Sequence, residues 1–492
     1  LLLGQAELAK QQHALQERLL VLLANVEGDA LANEELISTL EKASVTEEEL
    51  QAKRALGDTT QVELAQAFDV YRGAARRGAI LHFTSQRLSI IEHAYQGSLT
   101  VFRAALLHAI RQTPTASGEA LDARVLRLRD VITHRVFFTV ARGLFPRHLL
   151  LYATQLALAI AQKEGGLAAA HAILLVGGTY RDGDTVDAAP RPPATATAWL
   201  SDVAWRDVCS LSAASPTFGA LPASIKHDAD AWRAWAEHAR PEAEQTPTGG
   251  GLAPLSSFER LLVLRALRPE RIAFACSGWA AGVLRLQLDA NIGLEWTLEV
   301  ASPHVPVFFL ASASQRNSVA DTVARHGEKY GKSEAKGKLM IVSMGQGQQA
   351  AAERALHLMH GKGGWCVLEN VELLANWLLA LVSILETLHE GAHKDFRVFL
   401  SAGTLKVVPS PLLGMCLKLT DEPASSFQGN LIATYTEVGD LHHSESSQPL
   451  LLHAATLALC ITHALMKGRL KFGARGWCSP PAFAINDLRH SI

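Results

Sequence analysis

The chain has 492 residues, of which 48% are hydrophobic and 19% are charged, and its formal net charge is -2. This length exceeds one ordinary domain, and the apolar fraction is sufficient for large buried cores. The balanced charge excludes a broad electrostatic attraction to nucleic acid or to an acidic membrane surface. We therefore expect no nucleic-acid partner and no membrane partner.

The first 77 residues predict two long helices. Apolar residues between Leu8 and Val26 recur at helical spacing, and Thr46 with Glu49 has the form of a capping box that begins a helix reaching about Arg77. The pattern predicts an antiparallel helical hairpin. An ordinary helix pair packed on a core is the open alternative.

Residues 80–175 are predicted to be helical, and residues 177–184 and 190–193 are predicted to be loops. Apolar positions follow helical spacing in four segments: Phe83 to Ile90, Leu99 to Ile110, Leu121 to Phe145 and Leu149 to Ala161. The last segment is shorter than the roughly 20 apolar residues that span a bilayer, so it predicts a buried helix. Tryptophans at helical spacings are interpreted as core: Trp199, Trp205, Trp232 and Trp235. The stretch from Gln245 to Pro254 is the best linker candidate, and a helix from Ser256 to Leu267 follows it.

From about residue 300, short apolar strands alternate with helices. Strands are predicted at Val305 to Leu310, Lys338 to Met344, Trp365 to Asn370 and Phe396 to Ser401. Alternation of helices with continuously apolar strands is typical of a parallel α/β sheet. From residue 430 to 470 the pattern returns to helix.

Six cysteines are scattered along the chain, and none forms a CxxC pair: Cys209, Cys276, Cys366, Cys416, Cys460 and Cys478. This spacing argues against a zinc cage and against a disulfide framework. We interpret them as reduced core thiols of a cytosolic-type compartment. The chain opens with Leu1 rather than Met, which indicates part of a longer polypeptide.

The loop after the first predicted strand is where a nucleotide-hydrolysing protein of this type would hold phosphate. Phosphate binding there needs glycines, a Lys on the phosphates and a Ser or Thr on magnesium. The loop has no glycine and no Lys; its polar positions are Ser312, Ser314, Arg316 and Asn317, and Arg316 is its single cation. We predict a degenerate nucleotide loop, with no cofactor bound by this segment.

The third predicted strand ends in Glu369-Asn370, where a working site would carry an acidic pair that holds magnesium and polarises water. One carboxylate is present there, with Glu372 two residues further on, which is too little to predict hydrolysis. A small-molecule enzyme using Glu369 and a nearby His is an alternative, but no nucleophile elbow or paired-acid spacing supports it. We therefore predict no catalytic residue and no metal ligand.

Several motifs, taken in chain order, resemble signatures of dynein heavy chains. They include Tyr95-Gln96-Gly97-Ser98-Leu99, Arg142-Gly143-Leu144-Phe145, Ser343-Met344-Gly345-Gln346-Gly347-Gln348, the strand from Trp365 to Asn370, and Lys418-Leu419-Thr420-Asp421-Glu422-Pro423. Each motif by itself is weak evidence for this resemblance, whereas the occurrence of all of them in family order over almost the whole chain is highly specific.

The resemblance implies an AAA+ architecture. Residues 1–110 would be the lid of the fifth AAA+ module, and its hairpin, about residues 1–77, would be the buttress of the stalk coiled coil. Residues 111–250 would be a helical region leading into the sixth module, residues 251–420 its large domain and residues 421–492 its helical lid. The predicted fold class is α/β with extensive helical parts: a degenerate AAA+ P-loop-like parallel sheet flanked by helical lid domains and an antiparallel helical hairpin.

By this resemblance, the parent protein would be an ATP-driven motor that moves towards microtubule minus ends in the cytoplasm and cytoskeleton. This segment would close the AAA+ ring and transmit conformational change to the stalk, while ATP and Mg would bind at other modules. The implied partners are the microtubule through the stalk, the stalk coiled coil through the 1–77 hairpin, neighbouring AAA+ modules, and dynein intermediate and light chains.

Two segments of the sequence indicate the class of dynein. Residues 345–348 and 393–397 favour an axonemal chain of a cilium or flagellum, and an intraflagellar-transport dynein stays open. A non-motor scaffold with a degenerate AAA+ fold is the alternative function.

Overall fold

The computed structural model describes residues 34–114, 118–177, 199–288, 294–310, 319–388, 390–420, 427–438 and 448–469, with isolated positions before residue 22 and at 488. The chain divides into two compact units. The first comprises residues 1–76 and 116–126, and the second comprises residues 77–115 and 127–492.

Helices make up most of the described chain. Their bounds are α1 Glu34–Gln86, α2 Leu99–Arg111, α3 Leu121–Ala141, α4 Pro146–Lys163, α5 Ala169–Gly177, α6 Asp202–Ala214, α7 Leu221–His227, α8 Ala229–Glu237, α9 Ser257–Leu267, α10 Ile272–Leu284, α11 Leu294–Val300, α12 Val319–Lys329, α13 Gln349–Lys362, α14 Leu378–Thr387, α15 Ser410–Met415, α16 Phe427–Val438 and α17 Pro449–Arg469. Short 3₁₀ helices occupy Arg87–Ile90, His93–Tyr95, Pro216–Phe218, Pro241–Ala243, Pro269–Arg271, Val371–Trp377 and Leu405–Val407.

Helix α1 is one continuous helix of 53 residues. The prediction that a capping box at Thr46 and Glu49 begins this helix is wrong, because both residues lie inside it. The stretch from Glu34 to Leu56 contains no Gly or Pro and is rich in Glu, Leu, Ala and Lys, which are good helix formers. Nothing in that stretch stops a helix, so the capping pattern is overridden. The first helix of the predicted hairpin is described only at isolated positions, which are helical.

The first unit is built around α1 up to Arg76. Thr39 is buried in this unit, and the guanidinium of Arg124 lies 5.8 Å from the ring centroid of Tyr71. An exposed ion pair joins Asp69 to Arg72 along the helix at 2.6 Å. Such an exposed pair contributes little to stability.

The second unit contains a large helical core formed by α4 to α10. All of its members are buried, and they include Trp205, Trp232, Trp235, Leu252 and Phe258. Trp199 packs against this core while partly buried, so the interpretation of the tryptophans as core residues is confirmed. The predicted linker from Gln245 to Pro254 contains no helix or strand, and Leu252 within it joins the core.

Side-chain caps fix where several of these helices begin. Ser201 Oγ accepts from Ala204 N at the start of α6, and Asp228 Oδ1 accepts from Ala231 N at the start of α8. Ser256 and Glu259 form a reciprocal capping box at the start of α9. Each cap pairs backbone N–H groups that a helix end leaves without partners.

The second unit also contains a five-stranded parallel sheet. Its strands are β1 Val307–Leu310, β2 Leu339–Ser343, β3 Trp365–Glu369, β4 Arg397–Ala402 and β5 Leu417–Thr420, in the spatial order β2-β3-β4-β1-β5. Val307 is in register with Phe399 on one side and with Leu417 on the other. The predicted α/β sheet is confirmed, and all four predicted strands are present. The fifth strand was not predicted.

The edge strand β5 is covered by the loop between α3 and α4. Thr420 N and Thr420 Oγ1 both donate to the carbonyl oxygen of Arg142, at 2.8 and 3.0 Å. A Cβ on Gly143 would lie 2.6 Å from Lys418 Cβ, so only glycine permits this approach. The sequence Arg142-Gly143-Leu144-Phe145 is thereby explained by close backbone contact with the sheet.

Helices α16 and α17 pack on each other near the C-terminal end of the described chain. Thr434 Oγ1 and His463 Nδ1 are 3.2 Å apart, and both residues are buried. Within the part of the chain that the structure describes, α17 is the one helix long and apolar enough to cross a membrane by length and composition. A core helix can meet the same test, so this property does not by itself establish a membrane span.

Candidate functional site

The carboxyl ends of β1, β3 and β4 meet at one edge of the sheet, where a doubly wound fold places its ligand. The predicted degenerate loop follows β1 at this edge. Its four polar positions, Ser312, Ser314, Arg316 and Asn317, lie outside the described residues. Helix α12 follows that loop and begins at Val319.

Glu369 ends β3 and turns its carboxylate towards the start of α12. Its Oε1 atom accepts a hydrogen bond from the backbone N–H of Ala320 at 2.9 Å. Backbone N–H groups in the first turn of a helix are the groups that hold phosphate in nucleotide-binding proteins. The structure therefore places a protein carboxylate at an amide that a phosphate would use.

Asn370 follows β3 and adopts the left-handed conformation, with φ 57° and ψ 45°. Asn is among the few residues that tolerate this conformation. Its backbone N–H donates to Ser401 Oγ on β4 at 3.3 Å. The predicted strand end Glu369-Asn370 thus bridges from α12 to the neighbouring strand.

A second carboxylate, that of Glu372, lies at the same edge. Its Oε1 atom accepts from the backbone N–H of Gly403 at 2.9 Å, just after β4 ends. Its Oε2 atom is buried and has no hydrogen-bond partner among the described residues. A Cβ on Gly403 would lie 3.1 Å from Glu372 Oε1, so glycine admits the carboxylate without displacement.

The sequence Gly345-Gln346-Gly347-Gln348 lies at the same edge after β2. Gln348 N donates to the carbonyl oxygen of Gly345 at 3.1 Å, and Gly347 has φ +85°. This is a tight turn that needs a positive φ at its third residue, which glycine supplies. The turn feeds α13, which begins at Gln349.

Both carboxylates at the edge accept hydrogen bonds from backbone amides, that of Glu369 from Ala320 and that of Glu372 from Gly403. Within the described ranges, no group of three or more His, Cys, Asp or Glu side chains could hold a metal ion. Two adjacent histidines, His442 and His443, lie outside the described residues.

Sequence reasoning identified Glu369, Asn370 and Glu372 but missed Ala320, Ser401 and Gly403. A signal for the last two was present, because Ser401-Ala402-Gly403 follows a predicted parallel strand and such strand ends converge. Nothing in the local sequence indicates that the amide of Ala320 would receive the carboxylate.

The sheet order and this strand-end geometry define a P-loop-type α/β domain. Residues 302–420 match the family described as "Dynein heavy chain region D6 P-loop domain". Over nearly its whole length the chain is similar to dynein heavy chains. It is 33% identical to the "Dynein beta chain, flagellar outer arm" of Chlamydomonas reinhardtii, with 96% of this chain and 11% of that relative covered.

Two further relatives show the same extent of similarity. The "Dynein-1-beta heavy chain, flagellar inner arm I1 complex" of Chlamydomonas reinhardtii is 28% identical over 98% of this chain. "Dynein axonemal heavy chain 9" of Homo sapiens is 30% identical over 99% of it. The chain spans about a tenth of the length of these relatives, with 10% of the first and 11% of the second covered. The chain belongs to the dynein heavy chain family, and its matches are consistent with a C-terminal segment of the motor.

Proposed function

We propose that this chain is the segment of an axonemal dynein heavy chain that carries the sixth AAA+ module. The parent protein would be an ATP-driven, minus-end-directed microtubule motor of the cilium or flagellum. Family membership and the flagellar and axonemal relatives support this assignment. Residues 1–110, 111–250, 251–420 and 421–492 would form the fifth-module lid, the helical region, the sixth-module large domain and its lid.

The segment itself would hydrolyse no nucleotide. The main observation in favour of this proposal is the hydrogen bond from Ala320 N to Glu369 Oε1. A phosphate at the start of α12 would have to displace this carboxylate or lie against it, and two anions in contact repel each other. The loop sequence from 311 to 318, which has no Gly or Lys, supports the same conclusion.

The role of the segment would be mechanical, and α1 is the element suited to it. A helix of 53 residues spans about 80 Å at the α-helical rise. Its last turns are held firmly within the second unit. Arg77 Nε donates to Glu164 Oε1 at 2.8 Å, and Arg77 Nη1 donates to Thr133 Oγ1 at 3.0 Å. Leu81 is fully buried, and the hydroxyls of Ser85 and Tyr152 are 3.0 Å apart.

This anchoring supports a role for α1 as a lever. Movement of the helices that hold Arg77 would be carried along α1, whose backbone is helical from Glu34 to Gln86. In the parent motor, the far part of α1, with the first helix of the predicted hairpin, would brace the stalk coiled coil. Transmission of this kind requires a structural element that can pack in two alternative conformations.

Nucleotide binding is tested on the purified chain by thermal unfolding with and without 1 mM Mg-ATP. A site with a Kd of about 10 µM would stabilise the folded state by about 2.7 kcal/mol under these conditions. We expect no change in melting temperature. A saturable rise that competing ADP reproduces would contradict the proposal.

The mechanical role is tested in the full-length heavy chain by reversing the exposed charges Glu47, Glu48 and Glu49 to Lys. We expect basal ATPase activity to be kept and its stimulation by microtubules to be lost. The matched control reverses three exposed glutamates of the second unit: Glu328, Glu334 and Glu386. Unchanged stimulation in the first variant, or equal loss in both, would count against the lever.

A native polypeptide whose denatured mass is near the 53.0 kDa of this chain would contradict the motor assignment.

A further inference from the structure

A mainly apolar cavity of about 80 Å³ lies within the second unit, and none of its lining residues belongs to the candidate site at the carboxyl ends of β1, β3 and β4. The end of α1, the 95–98 loop, α2, α3 and β5 form its walls. Its apolar lining includes Leu88, Val101, Phe102, Val136 and Leu144. Cavities lined in this way bind small apolar groups, as an engineered cavity of about 150 Å³ binds benzene. A cavity of about half that volume restricts a ligand to a few carbon atoms.

One cation faces this cavity, the ammonium of Lys418 on β5. Its Nζ atom donates to the carbonyl oxygen of Gln96, which leaves two of its three N–H groups without a partner among the described residues. Burial lowers the pKa of Lys418 to about 8, so the amine carries its charge at pH 7. No Asp or Glu lines the cavity within the described part of the chain.

Three other titratable groups face the cavity from the surrounding elements, and none supplies a negative charge at neutral pH. Burial lowers the pKa of His82 on α1. Burial raises the pKa of Cys416, before β5, to about 12 and keeps this thiol neutral. The Tyr95 hydroxyl is 2.8 Å from His148 Nδ1 and accepts from Phe145 N at 2.9 Å.

An ammonium held in low-dielectric surroundings without an anionic partner is unfavourable. A ligand that brings one carboxylate and a short apolar body meets both features of the cavity. We propose that this cavity binds a small aliphatic monocarboxylate, with its carboxylate paired to the Lys418 ammonium and its alkyl group against Leu88, Val101 and Val136. The site would be separate from the nucleotide edge and independent of the motor assignment.

The first test uses isobutyrate as the probe and the neutral, nearly isosteric isobutyramide as its control. Binding to the purified chain is measured by ligand-observed NMR titration at pH 7. We expect isobutyrate to bind about tenfold tighter, because a charge-assisted hydrogen bond is stronger than a neutral one. Lys418→Met should abolish this preference, and Lys406→Met, at an exposed lysine, should leave it unchanged. Equal affinity for both probes, or an unchanged preference in Lys418→Met, would overturn the proposal.

The second test uses pH and remains decisive if Lys418→Met fails to fold. Between pH 7 and pH 9.5 the carboxylate stays ionised while the Lys418 amine, with a pKa of about 8, loses its proton. Affinity for isobutyrate should therefore fall about tenfold or more. Lys418→Arg keeps its charge over this range and should hold its affinity constant. The same pH dependence in the native chain and in Lys418→Arg would contradict the assignment to Lys418.

Discussion

The carboxylates at the sheet edge have different partners from those at the helical junction of the second unit. By helical junction we mean the contacts that α3 makes with the end of α1, the end of α4 and α11. At the sheet edge, Glu369 and Glu372 accept hydrogen bonds from the backbone amides of Ala320 and Gly403. At the junction, carboxylates pair with arginines. Glu164 contacts Arg77 through two hydrogen bonds, of 2.8 and 2.5 Å.

This difference shows which substitutions each region tolerates. A backbone amide is neutral, so a glutamine can replace the carboxylate and still accept its hydrogen bond. An arginine is charged at every accessible pH. Removal of the carboxylate that pairs with it therefore leaves a buried cation without a counter-charge. At the sheet edge, the hydrogen bonds to backbone amides can therefore form without a charged acceptor. At the junction, stability depends on the pairing of opposite charges.

The largest expected effect is at the junction. The Arg77 and Glu164 side chains are 6% and 17% exposed, and Glu164→Gln should lower the free energy of unfolding by about 3 kcal/mol. Urea unfolding of the purified chain measures this change. The double variant Arg77→Met with Glu164→Leu is the control and should recover part of the loss, because it removes the buried Arg77 guanidinium together with its carboxylate. Arg129, which lies 3.6 Å from Glu164, is 27% exposed and stays in contact with water. Additive losses would show that the two side chains do not act as a pair.

The next effect is at the sheet edge. Glu372→Ala removes the acceptor of the Gly403 N–H and should lower the free energy of unfolding by about 1.5 kcal/mol. Glu386→Ala, at an exposed glutamate of α14, is the matched control and should change it little. A loss for Glu372→Ala that exceeds the loss for Glu164→Gln would break the comparison between the two regions.

A smaller effect is expected at a second arginine pair of the junction. Arg135 is 2% exposed, and its Nη2 atom donates to Glu299 Oε2 at 2.8 Å. Its guanidinium also lies 4.0 Å from the ring centroid of Trp296. Glu299 is 46% exposed, so water screens this pair, and Glu299→Gln should cost about 1 kcal/mol in the same unfolding assay. A cost equal to that of Glu164→Gln would show that exposure does not control these pairs.

The smallest effect is expected for Glu369→Gln. The amide oxygen of glutamine can still accept from Ala320 N, while the favourable negative charge at the start of α12 is lost. That loss is about 0.5 kcal/mol in the free energy of unfolding. Thermal unfolding in Mg-ATP should show no binding by this variant either, because the loop from 311 to 318 has no glycine and no Lys. ATP binding gained by Glu369→Gln alone would show that the carboxylate is the sole barrier.

Much of the fold could be predicted from periodicity, because long helices and continuously apolar strands leave clear patterns. Strand β5 was missed since its four residues alternate between buried and half-buried and follow a short helix, α15. Thr46 misled the prediction for the opposite reason. A local capping pattern is overridden when good helix formers surround it on both sides.

The candidate site was predictable only as far as the strand ends. The position of Glu369 and Asn370 at a strand end could be predicted, because a residue after a parallel strand must lie at the carboxyl edge of the sheet. Their part in a degenerate nucleotide site stays a prediction. Their partners depend on spatial order, in which β4 lies between β3 and β1. A single sequence does not encode that order in any local pattern, so the bond to Ala320 could not be foreseen.

The loop around Gly143 has a consequence for how so long a polypeptide reaches its folded state. An open edge strand is a template for pairing with other chains and a route to aggregation. Here the carbonyl oxygen of Arg142 caps the end of β5, and the Cβ-free Gly143 lets the backbone lie against Lys418. The covering loop precedes the strand in the chain, so during synthesis it has already emerged when β5 appears. The edge can therefore be protected as soon as it forms, before neighbouring chains in a crowded cell can pair with it.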